Sequence, residues 1–310
     1  MSEPERLRQR ATAALDLGRY DEGAKLAREA IAADPREATG FAILARAQLG
    51  LGAGPEAEAT ARAALAFAPE REWLHRLLAI ALRLQRKSRP AAEAIAKAIE
   101  LDPDSELAHL ELGRIRLQQK KYDEALAAAQ ASLALNPESF AAQELLGEIY
   151  LAQRRWQECE RAYRRALRQS PNDATSLNNL GVALERQDRL TDAALAYKAA
   201  VLADPTLKVA KTNTLKATDR ILKVGLPGGL FALMVVAQGF SALGRSAVHV
   251  EGRGPGAQLV VILCGLALGA ALVLGFWLRH RRRSRGEAEL RAVDPQLLDI
   301  YRKLKADKQL

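Results

Sequence analysis

The sequence predicts an all-α chain: a six-repeat solenoid followed by a two-helix transmembrane hairpin. Three observations predict it. Prolines stand at 35, 69, 103, 137, 171 and 205, each 34 residues after the last and together half of the twelve in the chain. Columns of small residues keep the same register. Two long uncharged apolar runs follow the last of these prolines. A fixed period of this length marks units that bury their core only against their neighbours.

The segment AIELDPDSELAHLELG (98–113) shows one boundary. A helical run stops at Asp102-Pro103 and another begins at once. Proline has no amide hydrogen to continue the helix and pushes the residue before it out of helical geometry. Around each such stop the columns are Ala11, Ala45, Ala79, Gly113, Gly147 and Gly181; then Gly23, Ala57, Ala91, Ala125, Cys159 and Ala193; then Ala30, Ala64, Ala98, Ser132, Ala166 and Ala200. All are small, as close approach of two helix backbones requires. Leu44, Leu78, Leu112, Leu146 and Leu180 form an apolar column that Arg10 breaks in the first repeat.

Together with the Leu-Gly pairs at 112–113, 146–147 and 180–181, the aromatics Tyr20, Tyr122 and Trp156, and the closing prolines, this pattern resembles the tetratricopeptide repeat family over residues 4–207. Gly54 and Ser88 depart from the aromatic column, with Pro55 and Pro90 following where a helix start tolerates proline. The resemblance implies antiparallel helix pairs stacked into a right-handed superhelix. It also implies a concave surface lined by the first helix of each pair, which would bind a protein or peptide. By register that lining is Arg8, Thr12, Ile43, Arg46, Trp73, Arg76, Leu77, Ile80, Leu107, Leu110, Glu111, Arg114, Glu144, Glu148, Asn178 and Asn179. The lysine–asparagine clamp by which some family members hold a peptide carboxylate is missing in every register. What stands out is an apolar strip around Trp73 flanked by Arg46, Arg76 and Arg114, residue types enriched at binding hot spots. An amphipathic helix or an extended peptide with acidic flanks suits it. The alternative reading is that Leu77, Ile80, Leu107 and Leu110 pack between helices.

The stretch 206–223 reads as a polar helix covering the last repeat, and residues 208–223 as the capping linker. Residues 224–244 are uncharged and long enough to span a bilayer, and 258–278 contain twenty uncharged residues ending near Trp277. The connection at 245–257 is short and rich in glycine and proline. The alternative for the first run, given its glycines and Gln238, is a buried soluble helix. Five lysines and arginines precede the first run and Arg279, Arg281, Arg282, Arg283 and Arg285 follow the second, against Arg245 and Arg253 between them. Positive charge therefore places both termini in the cytoplasm of a two-pass integral membrane protein. The N-terminus carries no stretch of signal-peptide type, in agreement. The run at 279–285 either fixes topology alone or also binds anionic headgroups. Gly265 and Gly269 allow close helix contact, within the hairpin or between chains. The tail 279–310 ends in a short amphipathic helix with Asp294 as N-cap, Pro295 at its start and Leu297, Leu298, Tyr301 and Leu304 on one face. That face suits either the membrane or the repeats.

Net charge of +9 invites a nucleic-acid reading, which its distribution removes. Residues 1–207 hold 29 Lys+Arg against 30 Asp+Glu, and residues 208–310 hold 17 against 7. Cys159 sits in a small-residue column and Cys264 in an apolar run, with no ligand-like spacing, which suits a reducing compartment. His75 and His109 share one column and read as packing residues. No nucleophile elbow, phosphate loop or metal spacing appears, so no enzyme, cofactor or metal is expected. The expectation is a membrane-anchored scaffold that recruits or assembles a protein partner, and the Ala- and Arg-rich composition suggests a bacterial cytoplasmic membrane. The alternative is a structural protein whose hairpins self-associate into a homo-oligomer.

Overall fold

The computed structural model describes residues 1–223 and 286–307. The chain divides into two compact units, Met1–Pro171 and Asn172–Leu310. The first unit holds five helix pairs: α1 (Glu3–Asp16) with α2 (Tyr20–Ala33), α3 (Ala38–Gly50) with α4 (Gly54–Phe67), α5 (Glu72–Leu84) with α6 (Ser88–Leu101), α7 (Glu106–Gln118) with α8 (Tyr122–Leu135), and α9 (Phe140–Ala152) with α10 (Trp156–Gln169). Three-residue links turn the chain back within each pair, so partners run antiparallel. The odd helices touch in succession, α1 to α3, α3 to α5, α5 to α7 and α7 to α9, whereas even helices pack only on flanking odd ones. The odd layer is therefore the compressed, inner face of this unit.

The repeat boundary is a backbone device. The residues before the six prolines, Asp34, Ala68, Asp102, Asn136, Ser170 and Asp204, all leave helical geometry, with φ between −129° and −144°. Odd helices end differently. Gly18, Gly52, Arg86, Lys120, Arg154 and Asp188, again at the repeat spacing, have φ between 59° and 75°. The amide of each bonds the carbonyl three residues back, and the next amide reaches five back, as Arg86 to Arg83 and Lys87 to Leu82 show. This is a Schellman closure, which glycine adopts without strain. Only two of the six sites are glycine. Arg86→Gly, Lys120→Gly and Arg154→Gly are each expected to add about 0.5–1 kcal/mol, because relief of left-handed strain outweighs glycine's extra chain entropy. Thermal unfolding of the triple variant checks this, and a midpoint at or below wild type refutes it.

The small columns are the seams between helices. A Cβ on Gly147 would lie 2.7 Å from the Tyr163 ring, and one on Gly181 2.6 Å from the Tyr197 ring. Both tyrosines are fully buried, as are Ala45, Ala79, Ala57, Ala91 and Ala125.

The second unit contains α11 (Ala174–Arg186), α12 (Leu190–Ala203) and α13 (Lys208–Lys223), then a helix described over 286–293 (α14) and α15 (Pro295–Asp307). α13 packs on α12 and α11, and its Asn213 amide donates to Asn178 Oδ1 at 3.0 Å. α15 lies on α12 and α13. Of the two places open to the tail helix, the repeat side is occupied: Leu297, Leu298, Tyr301 and Leu304 are buried. Lys198, itself buried, pairs with Asp294 and donates to Gln296 at 3.2 Å. Tyr301 donates to Asp219 Oδ1 at 2.6 Å.

Among the described residues no helix is long and apolar enough to cross a membrane. The runs 224–244 and 258–278, the connection 245–257, Gly265, Gly269 and the arginines at 279, 281, 282, 283 and 285 lie outside the described residues. The chain comes back to where it left: a Cβ on Gly286 would sit 3.4 Å from Cα of Leu222.

Candidate partner-binding face

The inner layer of repeats three to five carries a charged network built on helical spacing. Arg76 and Arg83 are seven apart on α5 and so share a face. Glu111 and Arg114 follow on α7, and Glu148 on α9. Glu111 is only 2% exposed. Arg83 Nε donates to Glu111 Oε1 at 2.5 Å, and a second guanidinium nitrogen lies 3.5 Å from Oε2. Arg114 stands 3.9 Å from the same carboxylate. Arg76 pairs with Glu72 at 3.1 Å, and Glu72 also accepts from Ser105 at 2.9 Å on the next repeat. One repeat on, Glu106 accepts from Ser139 at 2.6 Å.

Burial pushes the Glu111 carboxyl up, with Arg83, Arg114 and Arg76 pulling against it. Burial raises Glu148 in the same way, against Arg114 and Arg83. A carboxyl raised in the fold holds its proton more tightly there than in the unfolded chain. Stability should therefore fall as pH rises from the ordinary value of 4.5 through the raised one. Glu148→Gln is expected to flatten that slope in urea unfolding between about pH 4 and 7. An unchanged slope would remove Glu148 as its source.

The structure sorts the residues expected on the face. Arg46 is exposed and lies 3.7 Å from Asp16, and Leu107 is 47% exposed. Trp73 and Ile80 are half-buried, Trp73 against the core of repeats two to four. Arg8 is half-buried beside Asp34 at 3.8 Å, and Thr12 donates to the Arg8 carbonyl at 3.0 Å. Glu144 is half-buried on α9. Three expectations are corrected. Ile43, Leu77 and Leu110 are 4%, 6% and 3% exposed and belong to the helix–helix core, so they offer a partner no surface. Asn178 is buried against α13, and Asn179 accepts from it at 3.2 Å; both belong to the second unit. Sequence reasoning misses Arg83, although its seven-residue spacing from Arg76 points to the same face.

His75 Nε2 donates to the Pro69 carbonyl at 2.7 Å and His109 Nε2 to the Pro103 carbonyl at 2.8 Å, so both tie helices to the repeat-closing turns. Burial pushes the Cys159 thiol up to about 12, which leaves no reactive thiolate there. No group of metal-ligating side chains forms among the described residues.

The sequence matches the Tetratricopeptide repeat family over residues 8–72, 76–140, 110–158 and 144–207. Its fold is similar to a chain of the APC/C hetero-tetramer Cut9-Hcn1, at 15% identity and a TM-score of 0.64 over 69% of this chain and 42% of that one. The chain thus spans less than half the length of that relative. PilW, a widely conserved type IV pilus biogenesis factor, matches at 17% identity and TM-score 0.60, over 68% and 99% of the two chains. TTC0263, a thermophilic protein of Thermus thermophilus, matches at 24% and 0.55, over 59% and 99%. At these identities the likeness is one of fold alone. No curated protein matches the chain.

Proposed function

Because the chain belongs to the tetratricopeptide repeat family, we propose that it is a membrane-anchored scaffold whose inner face holds a protein or peptide partner. The observation that carries this is the open charged face of repeats three to five. Arg76, Arg83 and Arg114 are held in place by Glu72 and Glu111, so their guanidinium groups are pre-oriented and lose little freedom on binding. With Trp73, Ile80 and Leu107 alongside, the face suits an amphipathic segment with acidic flanks. Elsewhere the same fold serves assembly: the similar structures include a Cut9-Hcn1 hetero-tetramer and a pilus biogenesis factor.

The membrane part rests on residues 224–244 and 258–278, with both termini cytoplasmic in a bacterial cytoplasmic membrane. The meeting of Leu222 with Gly286 supports it, since an out-and-back hairpin must begin and end at one place. Tethering would raise the local concentration of the partner at the bilayer.

The test is affinity purification of the full chain from solubilised membranes. An Arg46→Glu, Leu107→Asp, Arg114→Glu variant should lose a partner that an outer-face control, Glu56→Arg, retains. Identical partner sets in all three would sink the inner-face reading.

A further inference from the structure

The near-zero charge balance of the repeats hides a local excess. On the outer layer of the first unit, α2, α4 and α8 carry more acids than bases, and α6 balances. α10 reverses this, with Arg161, Arg164, Arg165 and Arg168 against Glu158 and Glu160. The four arginines fall at i, i+3, i+4 and i+7, so they form one stripe, and all are exposed. Arg164 is paired with Glu160 at 2.9 Å. Arg161, Arg165 and Arg168 make no ion pair among the described residues, nor does exposed Arg154 in the turn before the helix. Along the helix the stripe runs about 10 Å from Arg161 to Arg168, with Arg154 in the turn before it.

We infer that this stripe is a membrane-surface contact that lays the first unit against anionic lipid headgroups. It rests on the anchored reading above only for the bilayer within reach. Anionic charge is required by complementarity to the unpaired arginines. A bilayer is favoured over an acidic peptide by shape. The hollow that Arg165 and Arg168 border is shared with Pro137, Glu138, Gln143 and Gln169, so apart from the proline its lining is polar. A peptide would be ordered there without burying apolar surface in return. A lipid surface presents a flat field of phosphates, and each nearby arginine adds attraction without needing an enclosing pocket. Phosphate also accepts the forked donors of arginine better than a point cation would bind it. The consequence is orientation: with the outer layer down, the inner face is turned away from the bilayer toward soluble partners.

The test is arginine footprinting of the full chain with phenylglyoxal, read residue by residue by mass spectrometry. The protein is reconstituted in nanodiscs of phosphatidylcholine alone or of equimolar phosphatidylcholine and phosphatidylglycerol. Modification of Arg154, Arg161, Arg165 and Arg168 should slow at least about tenfold in the anionic discs and recover in high salt. Exposed Arg46 on the inner layer should not change. In an Arg161→Gln, Arg165→Gln, Arg168→Gln variant, Arg154 should react at its neutral-lipid rate. Equal rates in both lipids overturn the inference, as does stronger protection by added polyglutamate than by the anionic discs. Carbonate-resistant flotation with neutral vesicles reports the anchor separately. If that fails, the same footprint with anionic vesicles added to the soluble chain still decides the stripe.

Discussion

Leu298→Asp is expected to release α15 from the second unit. The leucine is 2% exposed, and Leu297, Tyr301 and Leu304 are buried beside it. Burying a leucine contributes about 2 kcal/mol, and an unpaired carboxylate in its place costs several more. The polar contacts, Lys198 with Asp294 at the start of the helix and Tyr301 with Asp219 at its middle, cannot offset that change. Hydrogen exchange over 286–307 should rise to that of an unprotected chain, and trypsin should cut at Arg302 and Lys303. The volume-conserving Leu298→Met should keep the protection. A protected α15 in Leu298→Asp would mean that its apolar face does not hold it. The Lys198 hydrogen bond keeps the Asp294 carboxyl below its usual range. That contribution to docking is present above the unfolded value of 3.8 and is lost only as pH falls through the lowered one.

Glu111→Ala should destabilise the first unit by about 3 kcal/mol. The carboxylate neutralises a cluster of arginines, and its loss leaves Arg83, Arg76 and Arg114 repelling one another. The low end of the usual range applies because Arg83 and Arg114 remain 20% and 35% exposed and can turn to water. Urea unfolding reads the cost. The paired replacement Glu111→Leu, Arg83→Met should recover most of it, because an apolar pair of similar volume avoids the desolvation that the ion pair carries. If the double variant is no better than Glu111→Ala, then the single change acts through a cavity and not through unpaired charge. The same double variant should still weaken partner capture, which separates the stability of the face from its recognition.

Much of the fold was legible because the repeat imposes the same local demand every 34 residues. Proline and the Ala/Gly seams act through backbone geometry and close contact, which any copy of the unit needs, so they show as columns. The left-handed closures are hidden in the sequence for the opposite reason. Their requirement falls on φ, and Arg86, Lys120, Arg154 and Asp188 meet it by accepting strain instead of by sharing a side-chain type. The candidate face was half legible. Helical register places Arg46, Arg76, Leu107 and Arg114 on the inner layer. It could not separate them from Ile43, Leu77 and Leu110, whose burial depends on where the next pair's side chains fall.

The sequence by itself determined the repeat boundaries, the six-fold repetition and the neutral balance of the repeats, because each follows from residue type and spacing along one chain. Tertiary structure alone decided three things. It sank Glu111 beneath three arginines, gathered unpaired arginines on one outer helix, and seated α15 on α12 and α13. Each depends on which neighbours a side chain meets across a helix packing, and on how much water that packing leaves.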